Sequence, residues 1–174
     1  VRALLRLSVG LCLAIGLVVS LPADPAYGLA AFNSRYADEQ PTLSGDGRFL
    51  AFVSDRDGER QIVMYDLQDQ RFVDLPGLNQ AGEVTESPSL SLTGRYLVYI
   101  ASDGGHPTLR LYDRLTQRTQ IPLENYRGWI RHPSISPDGR YVVFETSRRG
   151  QWDIEVLDRG SRVELDIPNG NSSA

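Results

Sequence analysis

Apolar positions along this chain come in short bursts, not in helical stripes. Phe49-Leu50-Ala51-Phe52-Val53, Tyr96-Leu97-Val98-Tyr99-Ile100 and Tyr141-Val142-Val143-Phe144-Glu145 are runs rich in aromatic and β-branched residues. Runs this short, bounded by turn residues, predict buried central strands. A tight turn precedes each: Ser44-Gly45-Asp46-Gly47, Ser91-Leu92-Thr93-Gly94 and Ser136-Pro137-Asp138-Gly139. Gly supplies positive φ in such turns, and Pro presets the second position of the last one. Further on, the pattern alternates. Ile62/Leu109/Ile154 and Met64/Leu111/Val156 fall on one face of a predicted strand, with Arg110 and Glu155 on the other. Short flanking strands are predicted at Thr42-Leu43, Ser89-Leu90 and Ser134-Ile135. Weaker fourth strands are predicted around Phe72–Leu75, Thr119–Ile121 and Val163–Ile167, each ending at a proline (Pro76, Pro122, Pro168).

These pieces keep register. Pro41, Pro88 and Pro133 lie 47 and then 45 residues apart, and the same offsets relate Gly47/Gly94/Gly139, Phe52/Tyr99/Phe144, Gly58/Gly105/Gly150 and Asp66/Asp113/Asp158. A fixed period of roughly 40–50 residues signals a solenoid, propeller or array. Four antiparallel strands per copy outline a propeller blade. The expected fold is therefore all-β, with three four-stranded antiparallel blades at about 41–87, 88–132 and 133–168. Residues 31–40 read as a polar lead-in and 169–174 as a disordered tail.

The repeated string is Pro-x-(Leu/Ile)-Ser-x-x-Gly-Arg, an apolar strand, a turn such as Ser54-Asp55-Arg56-Asp57-Gly58, then an aliphatic strand ending in Asp, preceded by Tyr in two copies. It resembles the TolB-type propeller repeat over residues 40–168, and the third copy, with Ser136-Pro137-Asp138-Gly139, matches that signature best. The resemblance implies a WD-like β-propeller of the cell envelope that binds other proteins. It also implies about six blades and a preceding small domain, whereas three copies occur here. Propellers typically close with about four to eight blades. An open set of three has two resolutions: two copies of the chain forming a closed six-bladed homodimer, or a monomer whose sheets pack on one another.

The N-terminus carries Arg6 and then an apolar run from Leu7 to Leu21, 15 residues ended by Pro22. A run of that length fits the core of a secretory signal and falls short of the ~20 residues of a membrane-spanning helix. Residues 1–30 are read as a cleaved signal peptide, which places the mature chain in the periplasm or outside the cell without a stable transmembrane anchor. Cleavage would remove Cys12, the one cysteine. All 18 basic residues are arginine, which excludes Schiff-base lysine chemistry and a P-loop lysine. A net charge of −4 without a basic stripe argues against nucleic-acid binding.

Catalytic chemistry finds little support. Two histidines occur, His106 in a Gly-Gly-His-Pro hairpin and His132 before Pro133, and no Gly-x-Ser-x-Gly elbow is present. Asp55-Arg56-Asp57-Gly58-Glu59 clusters carboxylates, but its counterparts in the other copies would not bind a cation, so neither metal nor cofactor is expected. In a repeat protein, function lies where the copies differ. The segment Leu123–His132 contains Tyr126, Arg127, Trp129 and Arg131, and the nearby hairpin adds Arg148, Arg149 and Trp152. That composition suits an interaction hot spot. The competing reading packs both tryptophans between blades. The expected function is a non-catalytic protein-binding or scaffolding module. A carbohydrate-binding protein is the first alternative, and a propeller-type hydrolase or lyase relative the second.

Overall fold

The computed structural model describes residues 34–167; the expected signal peptide and the tail at 169–174 lie outside them. Among the described residues, eleven strands form three antiparallel sheets. The first blade has β1 (Asp38–Leu43), β2 (Phe49–Ser54), β3 (Gln61–Asp66) and β4 (Arg71–Val73). The second has β5 (Val84–Leu90), β6 (Tyr96–Asp103), β7 (His106–Asp113) and β8 (Arg118–Gln120). The third has β9 (Ile130–Ile135), β10 (Tyr141–Thr146) and β11 (Asp153–Asp158). Strand order within each blade follows the chain, as in a meander.

Two expectations need correction. The first strand begins at Asp38, inside the stretch read as a lead-in, because Asp38 and Glu39 pair with Ser54 and Val53 although both are polar. The third blade has three strands among the described residues, not four. By the repeat offset, Val163–Leu165 should pair with β11 as Arg71–Val73 pairs with β3. Those residues form no strand and turn back to the second blade, held there by side-chain bonds described below.

Each Ser-x-x-Gly turn is built in the same way. The Ser44, Ser91 and Ser136 hydroxyls accept the backbone N–H of Phe49, Tyr96 and Tyr141, each at 2.9 Å. The turn glycines Gly47, Gly94 and Gly139 sit at φ 74°, 68° and 77°, where a Cβ is strained. A second shared feature was not visible in the sequence. The residue before each repeat proline, Gln40, Ser87 or His132, has φ of 52°, 54° or 48°. Each first strand carries a register shift there, a bulge of the kind that re-aims a strand. The bulges line a cavity of about 300 Å³ with Pro41, Pro88 and Pro133, and the Ser87 N–H donates to Gln40 Oε1 at 2.6 Å.

The core consists of two blade-to-blade seams. Phe49, Ala51, Val53, Ile62 and Met64 of the first blade meet Leu90, Leu97, Tyr99 and Tyr112 of the second. Tyr96, Val98, Ile100, Leu109 and Leu111 on the other side of the second blade meet Ile135, Val142 and Phe144 of the third. The middle blade is thus buried on both faces, so β6 reads as a continuous apolar run. Loop backbones lock the seams: the Asp46 N–H donates to Leu92 O at 2.8 Å, and the Leu92 N–H to Pro137 O at 2.8 Å.

Candidate functional site

A repeated ion pair frames every blade. Arg48 donates to Asp66 at 3.0 and 2.7 Å, Arg95 to Asp113 at 3.3 Å twice, and Arg140 to Asp158 at 3.0 Å twice. These bonds tie the turn before the second strand to the end of the third. The Arg48 guanidinium lowers the Asp66 carboxyl from 3.8 to about 2, helped by the Gln68 and Asp69 N–H groups and opposed by burial. The sequence showed the Gly-Arg and terminal Asp of each copy but not that they meet; their constant separation of 18 residues was the available signal.

The middle turn differs chemically. In the outer blades the turn serine donates to an aspartate two residues on, Ser44 to Asp46 and Ser136 to Asp138. Thr93 occupies that position in the middle blade and has no carboxylate. Asp166 supplies one from the chain's far side. Its Oδ2 accepts from Ser91 Oγ at 2.6 Å and from the Thr93 N–H at 2.8 Å, and its Oδ1 accepts from Thr93 Oγ1. The clasp is reinforced by the Asp166 N–H donating to Asp138 O at 2.9 Å and by Arg95 donating to Glu164 Oε2 at 2.7 Å. Tyr96 OH also donates to Glu164 O. This is what diverts Val163–Leu165 from β11.

The seven candidate contact residues lie in the segment leading into the third blade, on β9 and on the β10–β11 hairpin, and Tyr126 and Arg131 take opposite sides of the sheet. Tyr126 turns inward: its ring lies edge-on to Phe144 at 5.8 Å, and its hydroxyl bonds Thr146 Oγ1 at 2.7 Å and Glu155 Oε2 at 2.9 Å. Arg148 stays beside it, pairing with Glu155 at 3.0 Å and lying 5.5 Å from the Tyr126 ring. Tyr126 is thereby half-buried, while Arg148 keeps an exposed face. Arg131 faces outward, stacked on Trp152 at 3.7 Å and paired with Glu145 Oε2 at 2.6 Å. His132 Nδ1 meets the other oxygen of Glu145 at 3.1 Å, a partner that sequence reading missed. The guanidinium of Arg131 pulls the Glu145 carboxyl below its usual range, with His132 adding to the effect. Trp129 and Trp152 are 57% and 47% exposed, so neither is packed between blades. Arg127 and Arg149 are exposed, with no acidic partner among the described residues.

Other sequence candidates have structural roles. Asp55 accepts the Ala37 N–H at 2.9 Å and Glu59 accepts the Gly82 N–H at 3.4 Å, so these loop carboxylates cap backbone. Among the described residues, no group of three or more His, Cys, Asp or Glu side chains is placed to hold a metal ion. His106 opens β7 after a Gly104-Gly105 turn at φ 59° and 91°, the geometry of a two-residue hairpin.

The same architecture occurs in solved propellers. TolB from Acinetobacter baumannii matches at 23% identity and a TM-score of 0.58, covering 74% of this chain and 31% of its own. A puromycin-hydrolysing peptidase of Mycobacterium tuberculosis matches at 20% identity and a TM-score of 0.55, covering 78% of this chain and 22% of its own. The β-propeller domain of the trilobed protease from Pyrococcus furiosus, with its open velcro topology, matches at 18% and 0.52, covering 71% of this chain and 39% of its own. This chain spans 31% of the length of the Acinetobacter protein and 47% of a TolB-type structure from Agrobacterium tumefaciens. At such identities these likenesses establish the fold alone. No curated protein sequence matches the chain. The family profile of the TolB beta propeller domain covers residues 30–174. With three registered blades behind that match, the chain belongs to the TolB β-propeller domain family.

Proposed function

We propose that this chain is a non-catalytic, exported protein-binding module of the cell envelope, and that Trp129, Trp152, Arg127 and Arg149 form its contact surface. The observation that carries the reading is the exposure of both tryptophans, each within three residues of an exposed arginine that lacks an acidic partner among the described residues. Arg131 stacks on Trp152 while Glu145 holds Arg131 from the other side, so the indole is braced before any partner arrives. Preorganised aromatic and arginine side chains are the usual anchors of protein interfaces. The surface suits a partner with an apolar centre and carboxylates facing Arg127 and Arg149. Export rests on the apolar run before Pro22. A non-catalytic role is supported by the histidines: His106 stands on the second blade's hairpin, and His132 is engaged with Glu145 on the third.

The test is site-specific photo-crosslinking in envelope extract, with a benzophenone amino acid at Trp129 and, as control, at Leu115, which is exposed near the foot of the second blade. A discrete protein adduct from position 129, absent from 115 and abolished by Trp152→Ala or Arg149→Glu, is the expected result. Equal labelling from both positions overturns it. The exposed indoles also favour a second reading, carbohydrate binding. Saturable quenching of tryptophan fluorescence by neutral oligosaccharides, without a protein adduct, would establish that reading instead.

A further inference from the structure

The blade seams follow one rule that leaves two complementary halves unused. At each seam an aromatic residue that opens the second strand is seated on the turn glycine of the next blade. A Cβ built on Gly94 would come within 3.0 Å of the Phe49 ring, and one on Gly139 within 2.4 Å of the Tyr96 ring. Arg114 and Arg159 close over the same two rings at 4.0 and 4.2 Å. The third such aromatic, Tyr141, is 39% exposed. The first such glycine, Gly47, has nothing within 4 Å of a built Cβ. Among the described residues, one knob and one socket remain.

The surfaces around them match in the same way. On β10 and β11, Tyr141, Val143, Ile154 and Val156 hold the repeat positions of Phe49, Ala51, Ile62 and Met64. The latter four are buried, whereas Ile154 and Val156 are 68% and 62% exposed. On the opposite side of the first blade, Leu43, Leu50, Tyr65 and Phe72 pair across four strands into one row. The corresponding row in the second blade, Leu90, Leu97 and Tyr112, is buried under the first blade. Leu43 is 55% exposed, against 6% for Leu90 and 7% for Ile135.

We propose that these two faces bind each other between two copies of this chain, with Tyr141 of each copy seated on Gly47 of the other. Applied reciprocally, the contact gives a closed twofold ring of six blades, within the range that propellers adopt. The seam is anchored at Tyr141, which pairs with Asp158 at the turn end of β10. Trp152 and Arg131 stand toward the hairpin end of this same face, beside Glu145, the cross-strand partner of Ile154. The seam is therefore told apart from the partner-binding reading at its turn end, where Gly47→Asn and Tyr141→Ala touch the seam alone.

Light scattering of the full chain over a concentration series tests the contact. A mass of two copies is expected, falling toward one on dilution. Ile154→Glu, on an exposed position, should return the chain to one copy without changing its far-UV circular dichroism. Gly47→Asn keeps a residue type that tolerates positive φ but fills the socket, and should weaken association about tenfold or more. Tyr141→Ala should also weaken it, and the two changes together should cost less than the sum of their separate effects, because no ring then meets the side chain introduced at position 47. A single-copy mass at every concentration overturns the proposal. So does a two-copy mass indifferent to Ile154→Glu and Gly47→Asn, or additive costs in the double variant. Masses that keep growing past two copies overturn the closed ring.

Discussion

The first and third blades carry apolar residues at the same four positions of one face and meet opposite surroundings. Phe49, Ala51, Ile62 and Met64 are sealed against the second blade; Tyr141, Val143, Ile154 and Val156 face outward. The four positions are apolar in both blades, although Glu145 stands on the same face at the position of Val53 and Ile100. Burial here is therefore a property of the next blade in line, and the stabilisation of an apolar strand is realised only when that neighbour is present.

Paired substitutions sharpen this contrast. The largest effect should come from Ile62→Ala or Leu111→Ala, which leave cavities at fully buried sites and should cost about 2–5 kcal/mol in urea unfolding. The equivalent change in the third blade, Ile154→Ala, should stay within about 0.5 kcal/mol in dilute protein. Next come the turn glycines. Gly47→Ala should cost only the left-handed strain, about 1–2 kcal/mol, whereas Gly139→Ala must also displace the Tyr96 ring and should cost about 1–3 kcal/mol more. Equal costs at the two glycines would remove the knob-and-socket account of the seams.

Asp166→Ala should follow, at about 1–3 kcal/mol, since it strips the buried Ser91 hydroxyl and the Thr93 N–H of their acceptor. Hydrogen exchange should then accelerate at both amides. The smallest effect is a pH dependence. Asp66 titrates at about 2 when folded, below its ordinary 3.8. Its contribution is therefore complete above pH 4 and is lost as the pH falls through about 2. The stability difference between wild type and Asp66→Asn should be constant from neutrality to about pH 4 and shrink below it. A difference that grows on acidification would reverse the sign and discard the pairing with Arg48.

What the sequence disclosed was set by local chemistry. Turn glycines and aromatic runs placed β2, β6 and β10 because their residues and turns specify them within a few positions. The start of β1 was hidden because Asp38 and Glu39 form ladder bonds without apolar side chains. Val163-Glu164-Leu165 has strand character in the right register and still forms none; the bonds from Glu164 and Asp166 to the second blade outweigh an edge pairing. The outward patch was legible as composition. Its division was not, because Tyr126 and Arg148 reach Glu155 while Arg131 reaches Glu145, and composition does not tell which side of the sheet each will meet.

Asp166 also bears on how this repeat tolerates exchange. A consensus of the three copies would write aspartate at position 93, as the outer blades have at 46 and 138. In this chain that improvement would set two carboxylates against one serine hydroxyl and expel residues 164–166 from their seat. Thr93 and Asp166 are thus one structural unit split across 73 residues, and either half transplanted alone would make the more regular protein the weaker one.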